Sequence, residues 1–535
     1  MTQNSVQGEA ARRGVPQARA GSGEGGGDRP GRRRARPRRR HRVLRWSATT
    51  LAVLILGTAG AGYLYYQHLN GNIDKGERSS GDSKARKSAP NSAGQTPLNI
   101  LLIGSDSRAS DENVKLGGSK DTRSNPPLGD VQMLIHLAAD RRSAAVVSIP
   151  RDTRVEIPKC TDPETGETYP ATNDIINRSL ARGGAGCTLA TWQNLTGVYI
   201  DHWMTIDFAG VVSMADAVGG VEVCVNQNVH DRPLPGVPGG SGLRMEAGRK
   251  EIKGKQALQW LRTRHAFYSD LGRAKAQHMY MNSMIRTLKS QNVFTDSGRL
   301  MDLAEAATTS LKVSEEIGSV KKLYDLGKQL KSVPTDRITM TTMPSVEDTA
   351  DRNHLLPAPG GAEKMWQMLR DDVPFDDNGT GKKQKKAKEK LSEDPAAADD
   401  EIGVVVQNAT RSSTLAPVSG RARTISGLLQ EKGFARASAD TSATLAEDRT
   451  VVRYPSADLE GDAQRIAKSL GIPLSSVKKS TEVSGVTLLV GADWREGTTY
   501  PKESAPKAGD LPKDADEING ADSGQCMDVY KPYRW

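Results

Sequence analysis

The sequence is poor in cysteine and in aromatic side chains. Its 535 residues include four cysteines, and Phe, Trp and Tyr together make up 4% of the chain. No C-x-x-C pair or Cys/His cluster is present, so the spacings of common zinc sites are not found. No constellation typical of a Ser, His or Cys nucleophile and no helix-turn-helix pattern is evident. The chemistry must therefore be sought in other residue types.

Lysine is absent from the first 45 residues. That segment contains thirteen arginines and three acidic residues, an excess that equals the +10 net charge of the whole chain. The remainder, 46–535, is therefore neutral overall. The tail is also rich in Gly and Pro, which predicts disorder. A basic disordered arm can bind nucleic acid, but its place in the chain favours another role, and we expect no nucleic-acid partner.

Charged residues are missing from 46–66, which directly follows the arginine-rich tail. A helix of 21 residues spans roughly 30 Å, the thickness of one hydrocarbon core. Trp46 lies at one end and three tyrosines lie at the other, where membrane interfaces favour such rings. The adjacent arginines predict a cytoplasmic N-terminus and an extracellular C-terminus. The alternative is a cleaved signal peptide, but the apolar core and the leader are both long for one.

Changes in composition divide the chain further. We expect α/β architecture after the single transmembrane helix, with a smaller αβ domain near the C-terminus. The predicted segments are a disordered basic tail (1–45), the transmembrane helix (46–66), a linker (67–97), the main α/β domain (98–376), a charged linker (377–400), the second αβ domain (401–495) and a mobile tail (496–535).

All four cysteines follow the apolar segment, where an oxidising exterior would permit disulfides. Cys160 and Cys187 flank a loop-like segment and are the favoured pair. Cys224 lies in the apolar strand VEVCV, which favours a buried thiol. A bond between Cys224 and Cys526 is the alternative.

Acidic and arginine residues follow the apolar runs of the main domain. The run LNILLI leads into a glycine-led turn with Asp106 and Arg108, and Asp130 directly precedes VQMLIHL. Arg151 and Asp152 follow the run AAVVSI in the same way. The turn after LNILLI has neither the G-x-x-x-x-G-K-[ST] nor the G-x-G-x-x-G pattern of a nucleotide site. Two carboxylates at strand ends can hold Mg²⁺, although aspartate in a loop is more often a turn former.

The segment QWLRTRHAFYSDLGRAKAQ contains three arginines and one acid within twelve residues: Arg262, Arg264, Asp270 and Arg273. Gln277 lies four residues after Arg273, on the same face of a predicted helix. The planar guanidinium suits bidentate binding of phosphate oxygens and stays charged. The alternative is a solvated helix face with intrahelical ion pairs, and spacing alone favours neither.

At these residues the chain resembles the LytR-CpsA-Psr (LCP) family of envelope glycopolymer ligases. The resemblance covers about 98–290, and 401–495 resembles the LytR C-terminal domain often attached to that family. It implies an LCP-type mixed sheet flanked by helices. The motifs that carry it are LNILLIGSDSR, the Asp before VQMLIHL, VVSIPRDT, TNDIINRSLARGG, DHWMTIDFAGVVSMADAVGGVEV and ALQWLRTRH…DLGRAKAQ.

The resemblance implies transfer of a glycosyl phosphate from a polyprenyl-pyrophosphate carrier to a hydroxyl of peptidoglycan. The glycan would be a teichoic acid-like polymer. Asp106 and Asp130 would hold Mg²⁺ or Mn²⁺. The residues implied to bind the pyrophosphate are Arg108, Arg151, Arg262, Arg264, Arg273 and Gln277. Arg151 would also take part in catalysis, and the proton acceptor is left open between Asp152 and Asp270.

Three positions depart from the family pattern. Leu128-Gly129 replaces the usual Arg-Ser, Ile175 replaces a Lys, and Ala276 replaces the second Arg of G-R-x-x-R-Q. Nearby arginines that could compensate are Arg123, Arg178 and Arg182. The alternatives to a transferase are a non-catalytic polyprenyl-phosphate-binding scaffold and, less favoured, a transcriptional regulator.

Overall fold

The structure is a computed structural model that divides after Tyr65 into two compact units. It describes residues 39–88, 90–91, 93–108, 110–117, 125–291, 296–377, 392, 394–411, 416–447, 449–501 and 506–535. The predicted basic tail lies largely outside these ranges, as do Arg123 and most of the predicted charged linker.

Helices occupy much of the described chain. They are α1 (Arg39–Asn72), α2 (Asp111–Gly117), α3 (Ser179–Thr196), α4 (Phe208–Ala217), α5 (Gly254–Arg262), α6 (Asp270–Ser290), α7 (Ser297–Ser310), α8 (Val320–Ser332), α9 (Gly361–Arg370), α10 (Arg421–Glu431) and α11 (Glu460–Leu470). Within α1, Leu44–Asn72 is long and apolar enough to cross a membrane. The predicted span 46–66 lies inside this helix.

Strands form one large sheet, one smaller sheet and several two-stranded pairs. They are β1 (Asp74–Gly76), β2 (Leu98–Ser105), β3 (Gly129–Leu137), β4 (Ala144–Ser148), β5 (Arg154–Ile157), β6 (Cys160–Thr161), β7 (Thr168–Tyr169), β8 (Thr172–Ile175), β9 (His202–Ile206), β10 (Val221–Val225), β11 (Val229–His230), β12 (Arg244–Met245), β13 (Gly248–Ile252), β14 (Leu311–Ser314), β15 (Ile338–Thr342), β16 (Ser345–Glu347), β17 (Leu355–Pro357), β18 (Val404–Arg411), β19 (Ala437–Ala446), β20 (Val451–Tyr454), β21 (Val477–Lys479), β22 (Val486–Val490) and β23 (Ile518–Asn519).

The large sheet has the order β1-β14-β9-β2-β3-β4-β15-β23 and mixes parallel with antiparallel pairs. Its centre is antiparallel: β3 pairs with β2 on one side and with β4 on the other. Both outer neighbours, β9 and β15, run parallel to the strands they join. This is the mixed sheet flanked by helices that the sequence analysis expects.

Side chains of the central strands alternate between two apolar cores. Met133 of β3 and Val146 of β4 belong to the core that includes Trp260. Their neighbours Leu134 and Val147 belong to the opposite core, beneath α3 and α9. Because successive residues of a strand point to opposite faces, a sheet covered on both sides requires the nearly continuous apolar runs seen in the sequence.

The smaller sheet, β19-β18-β22-β20-β21, lies within 401–495. Helices α10 and α11 pack on it around a separate core that includes Phe434 and Trp494. A smaller αβ region near the C-terminus is therefore present.

Two segments differ from the sequence expectations. Within the predicted linker 67–97, β1 pairs with β14 and so adds an edge strand to the large sheet. Within the predicted mobile tail, β23 pairs with β15 at the opposite edge, and Val529 and Tyr533 are buried. The mobility of this tail stays a prediction, but its pairing was not foreseen because short, polar segments can be held by distant partners that composition does not reveal.

Two disulfides join the cysteines. Cys160 is bonded to Cys187, the favoured pair. Cys224 is bonded to Cys526 across a separation of 302 residues, so its interpretation as a buried thiol was wrong. The second bond attaches the C-terminal segment to β10.

Candidate functional site

Asp106 and Asp130 lie at one end of the central strands of the large sheet. β2 ends at Ser105, which pairs with Gly129 at the start of the antiparallel β3. Asp106 Oδ1 accepts a hydrogen bond from the Leu128 N–H at 2.7 Å, which fixes the carboxylate. Burial raises the pKa of Asp106, and the nearby Asp130 carboxylate raises it further. Two carboxylates therefore lie close enough to repel each other.

Arg151 contacts three carboxylates at this end of the central strands. β4 ends opposite the beginning of β3, so the following residues reach the same place. The guanidinium of Arg151 lies 3.0 Å from Asp130, 3.4 Å from Asp152 and 3.6 Å from Asp270. Burial alone would lower the pKa of Arg151, but these carboxylates outweigh it and raise the pKa.

The first turn of α6 contributes Asp270 and Arg273. Ser269 caps this helix by accepting a hydrogen bond from the Gly272 N–H at 3.3 Å. Asp270 is 2.6 Å from the guanidinium of Arg273, which is only 9% exposed. Asp270 is thus shared by Arg151 and Arg273. Burial lowers the pKa of Arg273, and its contact with Asp270 opposes that effect.

Arg262 ends α5 and lies within electrostatic reach of Asp106 and Asp130. Its guanidinium lies 4.7 Å from the centre of the Phe208 ring and donates to the carbonyls of Leu116 and Gly117. Burial lowers the pKa of Arg262, and the carboxylates of Asp130 and Asp106 oppose this. α5 and the C-terminal end of α2 therefore hold this arginine beside the carboxylates.

Arg264 and Arg108 complete the set of arginines. Arg264 donates from Nε to Nε2 of His265 at 3.2 Å, and its positive charge lowers the pKa of Arg273. Arg108 lies 3.7 Å from Asp106. We define the arginine cluster as Arg108, Arg151, Arg262, Arg264 and Arg273 together with Asp106, Asp130, Asp152 and Asp270.

Gln277 is buried, and its side-chain amide donates to the Leu261 carbonyl at 3.0 Å. It therefore ties α6 to the end of α5, directly before Arg262. This contact gives Gln277 a role in positioning the arginines. Its assignment as a direct pyrophosphate ligand stays a prediction.

The three departures from the family pattern lie in different surroundings. Leu128 contributes its backbone to Asp106, Ile175 pairs with Arg154 in the β5–β8 ribbon, and Ala276 is fully buried in a core. The suggested replacement arginines have other partners: Arg178 pairs with Asp174 at 3.0 Å, and Arg182 lies over the ring of Tyr169.

Sequence reasoning missed Gln132 and the C-terminal segment. Gln132 is buried beside the cluster and accepts a hydrogen bond from the Trp192 indole at 2.6 Å. A polar residue within the apolar run VQMLIHL was the available signal. Tyr533 stacks on His265 with ring centres 6.2 Å apart, and no sequence pattern pointed to that contact.

The fold and the cluster define an α/β protein with an arginine- and aspartate-rich site at one end of the central strands of a mixed sheet. The chain belongs to the LytR-CpsA-Psr family, whose sequence model matches residues 63–371. A second model, described as LytR cell envelope-related transcriptional attenuator, matches residues 401–494.

Individual relatives cover much of the chain. The cell wall biosynthesis protein LcpA of Corynebacterium glutamicum is 28% identical over 75% of this chain and 77% of its own length. The polyisoprenyl-teichoic acid–peptidoglycan teichoic acid transferase TagU of Enterococcus faecalis is 26% identical over 51% of this chain and 79% of its own. A solved structure, the LytR-Csp2A-Psr enzyme from Actinomyces oris, is 16% identical with a TM-score of 0.41, covering 56% of this chain and 95% of that one.

Proposed function

We propose that this chain is a membrane-anchored, extracytoplasmic phosphotransferase. It moves a glycopolymer from a polyprenyl-pyrophosphate carrier to a peptidoglycan hydroxyl and forms a phosphodiester link. The observation that carries the proposal is the arginine cluster, in which Arg151 and Arg273 share the carboxylate of Asp270. The names of the relatives LcpA and TagU, which refer to cell wall biosynthesis and teichoic acid transfer, support the same reaction class.

The charges of the cluster suit a pyrophosphate. Five arginines face four carboxylates, so positive charge is in excess before any substrate arrives. Phosphoryl transfer depends mainly on positioning and on neutralising the oxygens of the transferred group. The carboxylates that now pair with Arg151 and Arg273 hold these guanidinium groups in place, and phosphate oxygens can bind their remaining N–H donors.

A divalent cation fits the pair Asp106 and Asp130. Carboxylate oxygens are the ligands Mg²⁺ prefers, and it commonly uses one or two of them together with substrate phosphates. Burial and the neighbouring Asp130 carboxylate raise the pKa of Asp106, and a cation held by these two residues would favour the charged carboxylate again. Mg²⁺ or Mn²⁺ would supply charge neutralisation at the pyrophosphate when bound.

Asp152 is the better placed proton acceptor of the two carboxylates considered. Asp270 contacts both Arg151 and Arg273 at the N-terminus of α6, which suits it to orient arginines. Among the described residues, Asp152 pairs with Arg151 at 3.4 Å. With one guanidinium partner where Asp270 has two, its carboxylate has more lone-pair sites left to accept a proton, so we assign the acceptor hydroxyl's proton to Asp152 and a positioning role to Asp270.

The apolar part of α1 would anchor the chain to the membrane, which also holds a prenyl-linked donor. The arginine-rich segment before it favours a cytoplasmic N-terminus. The rest of the chain would then lie outside the cell, where peptidoglycan is found.

The test uses the full-length protein with a polyprenyl-pyrophosphate-linked glycan, Mg²⁺ and peptidoglycan. We expect release of polyprenyl phosphate and covalent attachment of the glycan. Arg264→Ala should reduce turnover about 100-fold or more, because it removes a charge that acts on the phosphates. Arg178→Ala, which removes an arginine paired with Asp174 outside the cluster, is the matched control and should retain activity.

Two results would contradict the proposal. Equal turnover by the wild type and Arg264→Ala would remove that arginine from the reaction. Co-purification of a polyprenyl phosphate without any turnover would instead support a binding scaffold.

A further inference from the structure

Exposed aromatic side chains are concentrated in one region of the described chain after α1. Three aromatic residues there are highly exposed: Tyr268 at 57%, Tyr530 at 45% and Trp535 at 49%. The described Phe side chains and the remaining described Trp side chains of this part are buried. Aromatic rings are large apolar groups, and exposed apolar patches with a polar rim commonly mark binding sites.

Tyr268 and Tyr530 come from distant parts of the sequence and meet at the surface. Their ring centres are 5.2 Å apart and their planes are inclined by 46°. The backbone N–H of Tyr530 donates to the Ala266 carbonyl at 2.8 Å, which fixes the C-terminal segment beside the loop between α5 and α6. We call these two rings the tyrosine platform.

The backbone of Tyr268 is strained in a way that presents its ring outwards. Its φ of 72° lies in the left-handed region, which is strained for a bulky residue. The preceding Phe267 is buried against Trp260, with ring centres 5.1 Å apart. The following Ser269 caps α6. Both neighbours are thus fixed, and the strained residue between them carries an exposed ring.

The platform is adjacent to the arginine cluster along the chain. Tyr268 lies four residues after Arg264 and two residues before Asp270. Tyr533, from the same segment as Tyr530, stacks on His265. The platform is therefore tied through Tyr268 and His265 to the chain segment that carries Arg264 and Asp270.

The C-terminal segment that carries Tyr530 has charges of both signs. Residues 526–535 carry two cations, Lys531 and Arg534, and one anion, Asp528. Asp528 accepts a hydrogen bond from the Asn226 amide at 2.8 Å. Such a mixture does not select a polyanion. The faces of tyrosine rings suit the apolar C–H face of a hexopyranose.

We propose that the tyrosine platform binds a neutral hexopyranose ring of the acceptor glycan strand and holds it beside the arginine cluster. This inference rests on the proposed function, because it names the residues that receive the acceptor. Tyr268 and Tyr530 are binding residues in it and take no part in bond making.

The test measures co-sedimentation of the full-length protein in detergent with purified peptidoglycan, without a glycan donor. Tyr268→Asn removes the ring but keeps a residue that tolerates the left-handed backbone. We expect it and Tyr530→Ala to bind about three- to tenfold more weakly. Tyr268→Phe keeps the ring and should bind as the wild type does. Val405→Ala removes an exposed apolar side chain of β18 and should also leave binding unchanged.

The measurement needs no turnover, so its failure is distinguishable from failure of the proposed function. Loss of sedimentation by both variants that remove a ring, with melting temperatures near that of the wild type, supports the platform even if no transfer is found. Equal sedimentation by Tyr268→Asn and the wild type overturns it. A raised KM for the lipid-linked donor with unchanged sedimentation also overturns it, because the platform would then bind the donor's glycan.

Discussion

Arg151 Nη1 donates a hydrogen bond to Asp130 Oδ1 at 3.0 Å, which joins the segment after β4 to the beginning of β3. The same guanidinium also lies near Asp152 and Asp270. One side chain therefore connects a carboxylate proposed to hold a cation, the proposed proton acceptor and the first turn of α6. Displacement of any one of these carboxylates would therefore shift Arg151 and change its contacts with the other two.

Asp270→Asn should weaken both activity and stability. Asp270 is the nearest described carboxylate partner of the buried Arg273, and its loss leaves that cation without its compensating charge. Unpaired buried charges are costly, so we expect a loss of about 1–3 kcal/mol after allowing for the partial exposure of Asp270. Urea unfolding measures it. Asp325→Asn breaks the exposed pair with Lys321 and should cost far less stability, because exposed ion pairs contribute little; equal losses would contradict the prediction.

Gly272→Ala should disrupt the start of α6. A Cβ at this position would overlap the carbonyl oxygen of Phe267, which belongs to the backbone and cannot rotate away. The loop that carries Arg264 and Tyr268 must then shift, so we expect lower turnover together with a loss of about 2 kcal/mol or more.

Gly427→Ala is the matched control for that substitution. Gly427 lies within α10, and a Cβ there meets nothing within 4 Å. Alanine should stabilise this helix by about 0.5–1 kcal/mol. Thermal unfolding that ranks the two variants in the opposite order would show that the contact with Phe267 is easily relieved.

Much of the site could be predicted from local sequence. The apolar runs predicted β2, β3 and β4. Antiparallel pairing brings the residues that flank these strands to the same end of the sheet's central strands. Asp106, Asp130 and Arg151 therefore meet as their positions suggest. The role of Gln277 was harder to foresee, because helical spacing places it on the face of Arg273 without showing that its amide binds the Leu261 carbonyl.

The C-terminal segment could not be predicted in this way. Its strand β23 has two residues and no apolar run, so neither periodicity nor propensity indicates it. Its order depends on partners about 300 residues earlier, such as the Cys224 carbonyl, which accepts from the Met527 N–H at 2.9 Å. The cysteine count also left the pairing open, since four cysteines allow three connectivities.

Removal of the Cys224–Cys526 disulfide should loosen this segment. The double variant Cys224→Ala/Cys526→Ala should lose about 2–4 kcal/mol, because the bond closes a long loop. Hydrogen exchange at the Tyr530 amide, which is bonded to the Ala266 carbonyl, should become faster. The variant Cys160→Ala/Cys187→Ala tests whether the effect is local: similar exchange at Tyr530 in both variants would contradict the proposed attachment.

His278 should make stability depend on pH below neutrality. It lies on α6 and is almost fully buried, and burial lowers its pKa from 6.5 to about 4 against the opposing charge of Asp516. Below pH 6.5 the unfolded chain gains a proton at this site that the folded chain does not. The stability that depends on a neutral His278 is therefore fully present above pH 6.5. It is lost progressively as the pH falls towards 4, where the loss in the free energy of unfolding reaches about 3 kcal/mol.

The measurement compares the wild type with His278→Gln by urea unfolding between pH 4 and 7. Other titrating groups are common to both proteins, so the difference between their free energies of unfolding isolates His278. At pH 7 the wild type should be the more stable protein if the imidazole packs better than the amide. As the pH falls from 6.5, the wild type should lose stability relative to the variant by up to about 1.4 kcal/mol per pH unit. A difference that stays constant over this range would show that the buried imidazole takes up its proton in the folded and unfolded chains alike.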